Sequence, residues 1–161
     1  LFQAYEQNKI TKGFLNIFSM KYCFLICSLF LAASLFAQTA EDKKGIEKAI
    51  HNYVDAFYEA DTTKAYESIA KDLAKRGYYV RNNQVVEAKM SFEQLVRLAQ
   101  RWKSTQTITA ASPKKNSVVD VLDEMAAAKV EAQWGIDYFH LAKLNGNWTI
   151  INVLWQDYPT K

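Results

Sequence analysis

Hydrophobic and polar positions alternate with two different periods along this chain, and the change of period divides it. From Ile46 the apolar residues Ile46, Ala49, Ile50, Tyr53, Phe57 and Ala60 recur every three or four positions, opposite Lys44, Glu47, Lys48, His51, Asp55 and Glu59. That spacing predicts an amphipathic helix, with Thr39 or Asp42 as its N-cap. Asp61-Thr62-Thr63 reads as a break and a new cap. A second helix is predicted through Tyr66, Ile69 and Leu73, with Gly77 as its stop. Tyr78–Val80 and Gln84–Val86 flank Asn82-Asn83 as a short hairpin. Ser91-Phe-Glu-Gln94 has capping-box spacing, and Phe92, Leu95, Val96, Ala99 and Trp102 line one face of a third helix.

Beyond that helix the period falls to two. Lys103–Ser117 reads as a loop or irregular strand, Val118–Leu122 and Met125–Trp134 as strands, and Gly135 as a bulge or bend. Two long alternating runs, Asp137–Leu144 and Asn147–Trp155, flank Asn145-Gly146, a pair suited to a two-residue type I′ turn. This turn sets the register: Leu144 faces Asn147, Lys143 Trp148, Leu141 Ile150, Phe139 Asn152 and Asp137 Leu154. Asp137, Phe139, Trp148 and Asn152 then share one sheet face, and Tyr138, His140, Ile151, Val153 and Trp155 the other. Helices first and antiparallel strands second make an α+β domain, with helices covering one face of a curved sheet. The second face is also apolar, which predicts a homodimer through it.

The N-terminal stretch has a different logic. Met20-Lys21 precedes an almost wholly apolar run from Tyr22 to Phe36, and Ala37 stands before Gln38. The order is that of a secretory signal peptide over residues 20–37 with cleavage after Ala37. A transmembrane helix is the competing reading, but a span needs about 20 apolar residues. Residues 1–19 read as an upstream leader before the true start at Met20. The expectation is an exported protein, secreted or periplasmic, with no membrane anchor after cleavage, and one domain over residues 38–161.

Charge and cysteine usage narrow the chemistry. Residues 38–161 keep 17 of the 20 basic and 16 of the 17 acidic side chains, a net charge near +1. There is no basic stripe, which argues against nucleic acid as a partner. Cys23 and Cys27 both lie in the apolar run, so residues 38–161 contain no disulfide, thiolate nucleophile or cysteine zinc site. His51 and His140 are the only histidines. His51 falls on the charged helix face, and His140 has the opposite strand parity to Asp137, so no metal site and no cofactor is expected.

Asp137 is the acid of most interest. A carboxyl among Phe139, Leu141, Trp148 and Ile150 must be hydrogen-bonded, paired or protonated, unless it reaches water at the strand edge.

At this point the residues resemble a family. The order helix, helix, hairpin, helix, sheet is similar to the nuclear-transport-factor-2-like fold, a cone with three N-terminal helices packed on a curved antiparallel sheet and a pocket between them. Within that fold the run Asp137–Trp155, with Asp72-Leu-Ala-Lys-Arg76, resembles the bacterial group labelled putative lumazine-binding proteins. The likeness implies a small hydrophobic or planar ligand, held by Tyr53, Phe57, Asp137, Phe139, Trp148 and Asn152. A more distant likeness joins Asn52–Asp61 and Ile136-Asp137 to ketosteroid isomerases. It implies Tyr53 and a protonated Asp137 as hydrogen-bond donors to an oxyanion. Tyr53 reads equally well as a large core residue. The general base of those enzymes is a carboxylate after the second helix, where this chain has Lys75-Arg76-Gly77-Tyr78. Glu87 and Asp120 are the remaining candidates for a base. Catalytic residues therefore stay open, as does the choice between a ligand-binding domain, an isomerase- or cyclase-type enzyme and an interaction module.

Overall fold

The computed structural model describes residues 40–159, so the leader and the signal-peptide segment expected before Gln38 lie outside the described residues. Glu41–Lys161 forms a compact unit. Its first element, α1, runs through residues 40–58. It buries Ile46, Ala49, Ile50, Tyr53, Val54 and Phe57 in the core, the stripe its spacing predicts. Asp42 is not the cap of this helix. It lies inside α1, buried, and accepts hydrogen bonds from Lys143 Nζ (2.6 Å) and Trp148 Nε1 (3.0 Å). That contact fastens the start of α1 to the final hairpin. At the other end, Tyr58 Oη donates to the Pro113 carbonyl (2.5 Å) and accepts from Gln133 N–H (2.8 Å).

Ala60 takes a left-handed φ of 58° and ends the helix. Asp61 then caps α2 (Thr62–Ser68) by accepting from Thr63 N–H at 3.1 Å. Here the structure corrects the sequence reading. The second helix stops at Ser68, and Ile69–Arg81 is a strand, β1. Ile69, Leu73 and Gly77 are four residues apart, a spacing that suits a helix and equally the inner face of a strand. From Leu73 onward burial alternates with period two, so Leu73, Lys75 and Gly77 all point inward. β2 (Gln84–Met90) returns through the Asn82-Asn83 turn. α3 (Phe92–Thr105) starts with the full Ser91/Gln94 capping box.

The remaining strands are β3 (Lys114–Val121), β4 (Met125–Ala132), β5 (Gly135–Leu144) and β6 (Asn147–Gln156). They form one six-stranded sheet in the order β2-β1-β6-β5-β4-β3, antiparallel except where β1 runs parallel to β6. β3 begins four residues before the expected strand. Its first half faces the polar side of α1: Lys114 Nζ bonds Asp55 Oδ1 (2.5 Å) and Asn116 Nδ2 meets His51 Nε2 (2.8 Å). An inner face matched to polar partners has no hydrophobic alternation to read.

The hairpin register holds from Leu144–Asn147 to Leu141–Ile150 and then shifts by one residue. A bulge at Ile151 puts Asn152 opposite His140, Val153 opposite Phe139 and Trp155 opposite Asp137. Val153 and Trp155 therefore turn toward the helices and Asn152 turns away, the reverse of the expected assignment. Among the described residues no helix is long and apolar enough to cross a membrane.

Candidate functional site

Three elements bring a buried polar cluster together. Tyr53 comes from the core stripe of α1, Lys75 from the inward parity of β1, and Asp137 from the inward parity of β5. Lys75 Nζ donates to Tyr53 Oη at 2.6 Å and lies 3.3 Å from Asp137 Oδ1. Trp134, in the turn between β4 and β5, donates its indole N–H to Asp137 Oδ2 at 2.8 Å. Asp137 has 0% exposure and Lys75 6%. Two donors thus face the carboxyl. It acts as a hydrogen-bond acceptor and counter-ion, which differs from the protonated donor that the isomerase resemblance implies. Lys75 has three N–H groups. Two are engaged, and the third has no acceptor among the described residues.

Burial sets the acid–base behaviour of both neighbours. Loss of water pulls the Lys75 amine below its ordinary value, partly opposed by the Asp137 carboxylate. Burial, reinforced by that carboxylate, pushes the Tyr53 phenol well above its own. The signs have a consequence for stability. Between the lowered Lys75 value and 10.5, the unfolded chain binds the extra proton, so the Lys75 contribution to stability rises with pH through that window. Above 10.0 the unfolded chain loses the Tyr53 proton first, so the Tyr53 contribution falls. Unfolding free energies from about pH 7 to 10 should therefore climb in the wild type relative to a Lys75→Met/Asp137→Leu double variant. A pH-independent difference would refute a buried, destabilised ammonium.

The cluster forms one wall of a cavity of about 170 Å³. Tyr53, Phe57, Trp102, Trp134 and Trp155 surround it with rings, and Met90 and Leu98 complete the apolar lining. Phe57 packs against Trp134 (4.9 Å between ring centres) and edge-on against Trp102 (5.8 Å, 90°). Lys75 Nζ lies over the Tyr53 and Trp155 rings at 5.3 and 5.7 Å. Asp157, exposed, marks the mouth. Gly77 is needed here, because a Cβ at that position would overlap the Trp155 indole. The Trp102 indole nitrogen is buried and has no hydrogen-bond partner among the described residues.

Of the residues named from sequence, Tyr53 and Phe57 line this cavity. Asp137 sits behind Lys75 and Trp134, and Phe139 sits behind Tyr53 with ring centres 5.0 Å apart. Trp148 is bonded to Asp42, away from the cavity. Asn152 faces outward and bonds His140 Nδ1 through its amide nitrogen (3.0 Å). Glu87 bonds Tyr78 at 3.2 Å and Asp120 accepts from Val121 N–H at 3.0 Å, so neither contributes to the cavity wall. Sequence reasoning missed Lys75 as a cavity residue, and it read Trp102, Trp134, Trp148 and Trp155 as mostly core or interface, some able to stack on a planar ring, without singling out the three that line the cavity. For Lys75 the available signal was strand parity with Leu73 and Gly77.

A helical layer on this sheet, enclosing a cavity, defines a nuclear-transport-factor-2-like domain, and solved structures agree. Such a protein of unknown function from Silicibacter pomeroyi DSS-3 superposes with a TM-score of 0.58 at 16% identity, covering 74% of this chain and 98% of that one. One from Shewanella baltica OS155 gives 0.55 at 18% identity, with 75% and 97% covered. One from Novosphingobium aromaticivorans, described as having a cystatin-like fold, gives 0.58 at 14% identity, with 81% and 90% covered. No curated protein matches the chain. The family described as "Putative lumazine-binding" matches residues 41–156, and the chain belongs to that family.

Proposed function

We propose that this domain binds a small planar ligand of one or two rings, carrying an oxygen acceptor, in the cavity beside Lys75. The observation that carries the reading is a ring-lined cavity with one buried ammonium in its wall, Lys75, which has an N–H to spare. An unpaired buried donor costs about 1–3 kcal/mol, a cost that a ligand acceptor would remove. A cavity of about 150 Å³ is known to take benzene, so this one suits a substituted ring or a compact bicycle better than a steroid. Lumazine, in the family's name, is a planar bicycle with carbonyl oxygens and has that chemistry.

The test is a thermal-shift and tryptophan-fluorescence titration of the full chain with lumazine, simple phenols and aromatic carbonyl compounds. At a ligand concentration about 100 times Kd, the expected stabilisation is about 2.7 kcal/mol. The Lys75→Met/Asp137→Leu double variant keeps the rings and removes the donor, and should weaken binding by roughly tenfold, in line with about 1 kcal/mol for one hydrogen bond. Failure of every one- or two-ring acceptor compound to bind would end the reading.

Two further features belong to this proposal. Export is supported by the charged start and apolar run before Gln38. A homodimer through the outer sheet face is supported by Tyr138, Ile151 and Leu154, which stand exposed there on adjacent strands.

A further inference from the structure

We infer that Lys75 is a carbonyl-reactive amine, which condenses with a small aromatic aldehyde or ketone in the cavity to form an iminium. The inference rests on the ligand-binding reading above and adds a covalent step to it. Of the lysines in the described chain, Lys75 alone lines the cavity and is buried. Its nitrogen meets the two groups an imine needs. Tyr53 Oη, 2.6 Å away, is a hydroxyl that keeps its proton and can hydrogen-bond to the oxygen that departs. Asp137 Oδ1, 3.3 Å away, is a counter-ion that survives the reaction. A lysine desolvated among rings is the usual setting for this chemistry, because a larger fraction of it is the neutral nucleophile.

The step balances without an oxidant or reductant. The Lys75 ammonium gives up one proton, its freed electron pair forms a C–N bond to the carbonyl carbon, and a second N–H proton passes to the carbonyl oxygen to give a carbinolamine. The first proton is returned to that hydroxyl, which leaves as water, and the C=N bond keeps the last N–H and the positive charge. Ammonium and carbonyl compound thus become iminium and water, and the charge beside Asp137 is unchanged. The cavity rings hold the aromatic part.

The experiment treats the full chain with one equivalent of 4-hydroxybenzaldehyde and cyanoborohydride near neutral pH, then maps the reduced adduct by peptide mass spectrometry. The expected result is an adduct at Lys75 at least about tenfold above that at any exposed lysine. Lys75→Arg should abolish it, and Leu98→Trp, which fills the cavity and leaves Lys75 in place, should abolish it too. Adducts spread over exposed lysines, with Lys75 no higher than the rest, would overturn the inference. In that event, tryptophan quenching by the aldehyde, by lumazine or by a simple phenol would leave the binding reading standing, and its absence with all of them would sink both.

Discussion

Asp137→Ala lowers the unfolding free energy by about 3–5 kcal/mol, because it leaves the Lys75 ammonium buried with no counter-charge. The carboxylate has 0% exposure, and each of its oxygens has a partner, Lys75 on one and the Trp134 indole on the other. For a domain of this length the loss corresponds to a fall in Tm of roughly 10–20 °C. The Lys75→Met/Asp137→Leu double variant separates charge from volume. Replacing a buried pair by apolar groups is often neutral or stabilising, so the double variant should recover most of the loss. Urea unfolding of the two proteins checks the prediction. A single variant within about 1 kcal/mol of wild type would mean that Lys75 reaches water or deprotonates at no cost.

The charge of residue 75 decides what Asp137 does. In the isomerase resemblance a carboxylate after the second helix abstracts a proton, and the strand acid stays protonated in an apolar site. Here that segment is the strand β1, and it carries a cation into the cluster. Lys75 Nζ lies 3.3 Å from Asp137 Oδ1, so the strand acid becomes its counter-ion. The donor left for a ligand is then the free N–H of Lys75, with Tyr53 beside it. The donor facing the cavity shifts from a protonated carboxyl to an amine.

What the sequence made legible follows from how each feature is encoded. Local signals carried α1, the Ser91 capping box and the Asn145-Gly146 turn, since each depends on residues within a few positions. The register of β5 with β6 was readable from the turn as far as Ile150. A bulge at Ile151 leaves no mark in the local pattern, because both Asn152 and Val153 are acceptable on either face. Asp137 stood out as an acid among apolar neighbours. Its partner did not, because Lys75 lies 62 positions earlier in a segment whose period of four fits helix and strand alike. The parallel pairing of β1 with β6 resolves that ambiguity, and no window of sequence contains it. The cavity has the same origin: Trp102, Trp134 and Trp155 come from three separate elements, and only the closed fold sets their rings around one space.

Gly135→Ala should cost about 2–6 kcal/mol, and the reason is backbone on both sides. Gly135 has φ +131°, a region open in practice to glycine alone. Forcing a side chain into it costs about 1–3 kcal/mol. A Cβ there would also overlap the Gln156 carbonyl oxygen and come within 2.9 Å of Asp157 Cα. A side chain could rotate away from such a contact, but a strand carbonyl cannot, so relief requires β5 and β6 to part. Overpacking of that kind adds about 1–3 kcal/mol. The end of the sheet that parts is the one that holds the cavity: Trp134 precedes Gly135 and donates to Asp137, and Asp157 follows β6 at the mouth. Ligand affinity should therefore fall further than the loss of stability alone explains. Gly146→Ala is the matched control, because Gly146 has φ +80° and nothing within 4 Å of a Cβ. It bears the conformational penalty of about 1–2 kcal/mol and leaves the cavity intact. Equilibrium unfolding with near-ultraviolet circular dichroism of the tryptophans distinguishes the two. If Gly135→Ala costs no more than Gly146→Ala and the aromatic signal is unchanged, the close approach of Gly135 to Gln156 does not hold the cavity wall in place.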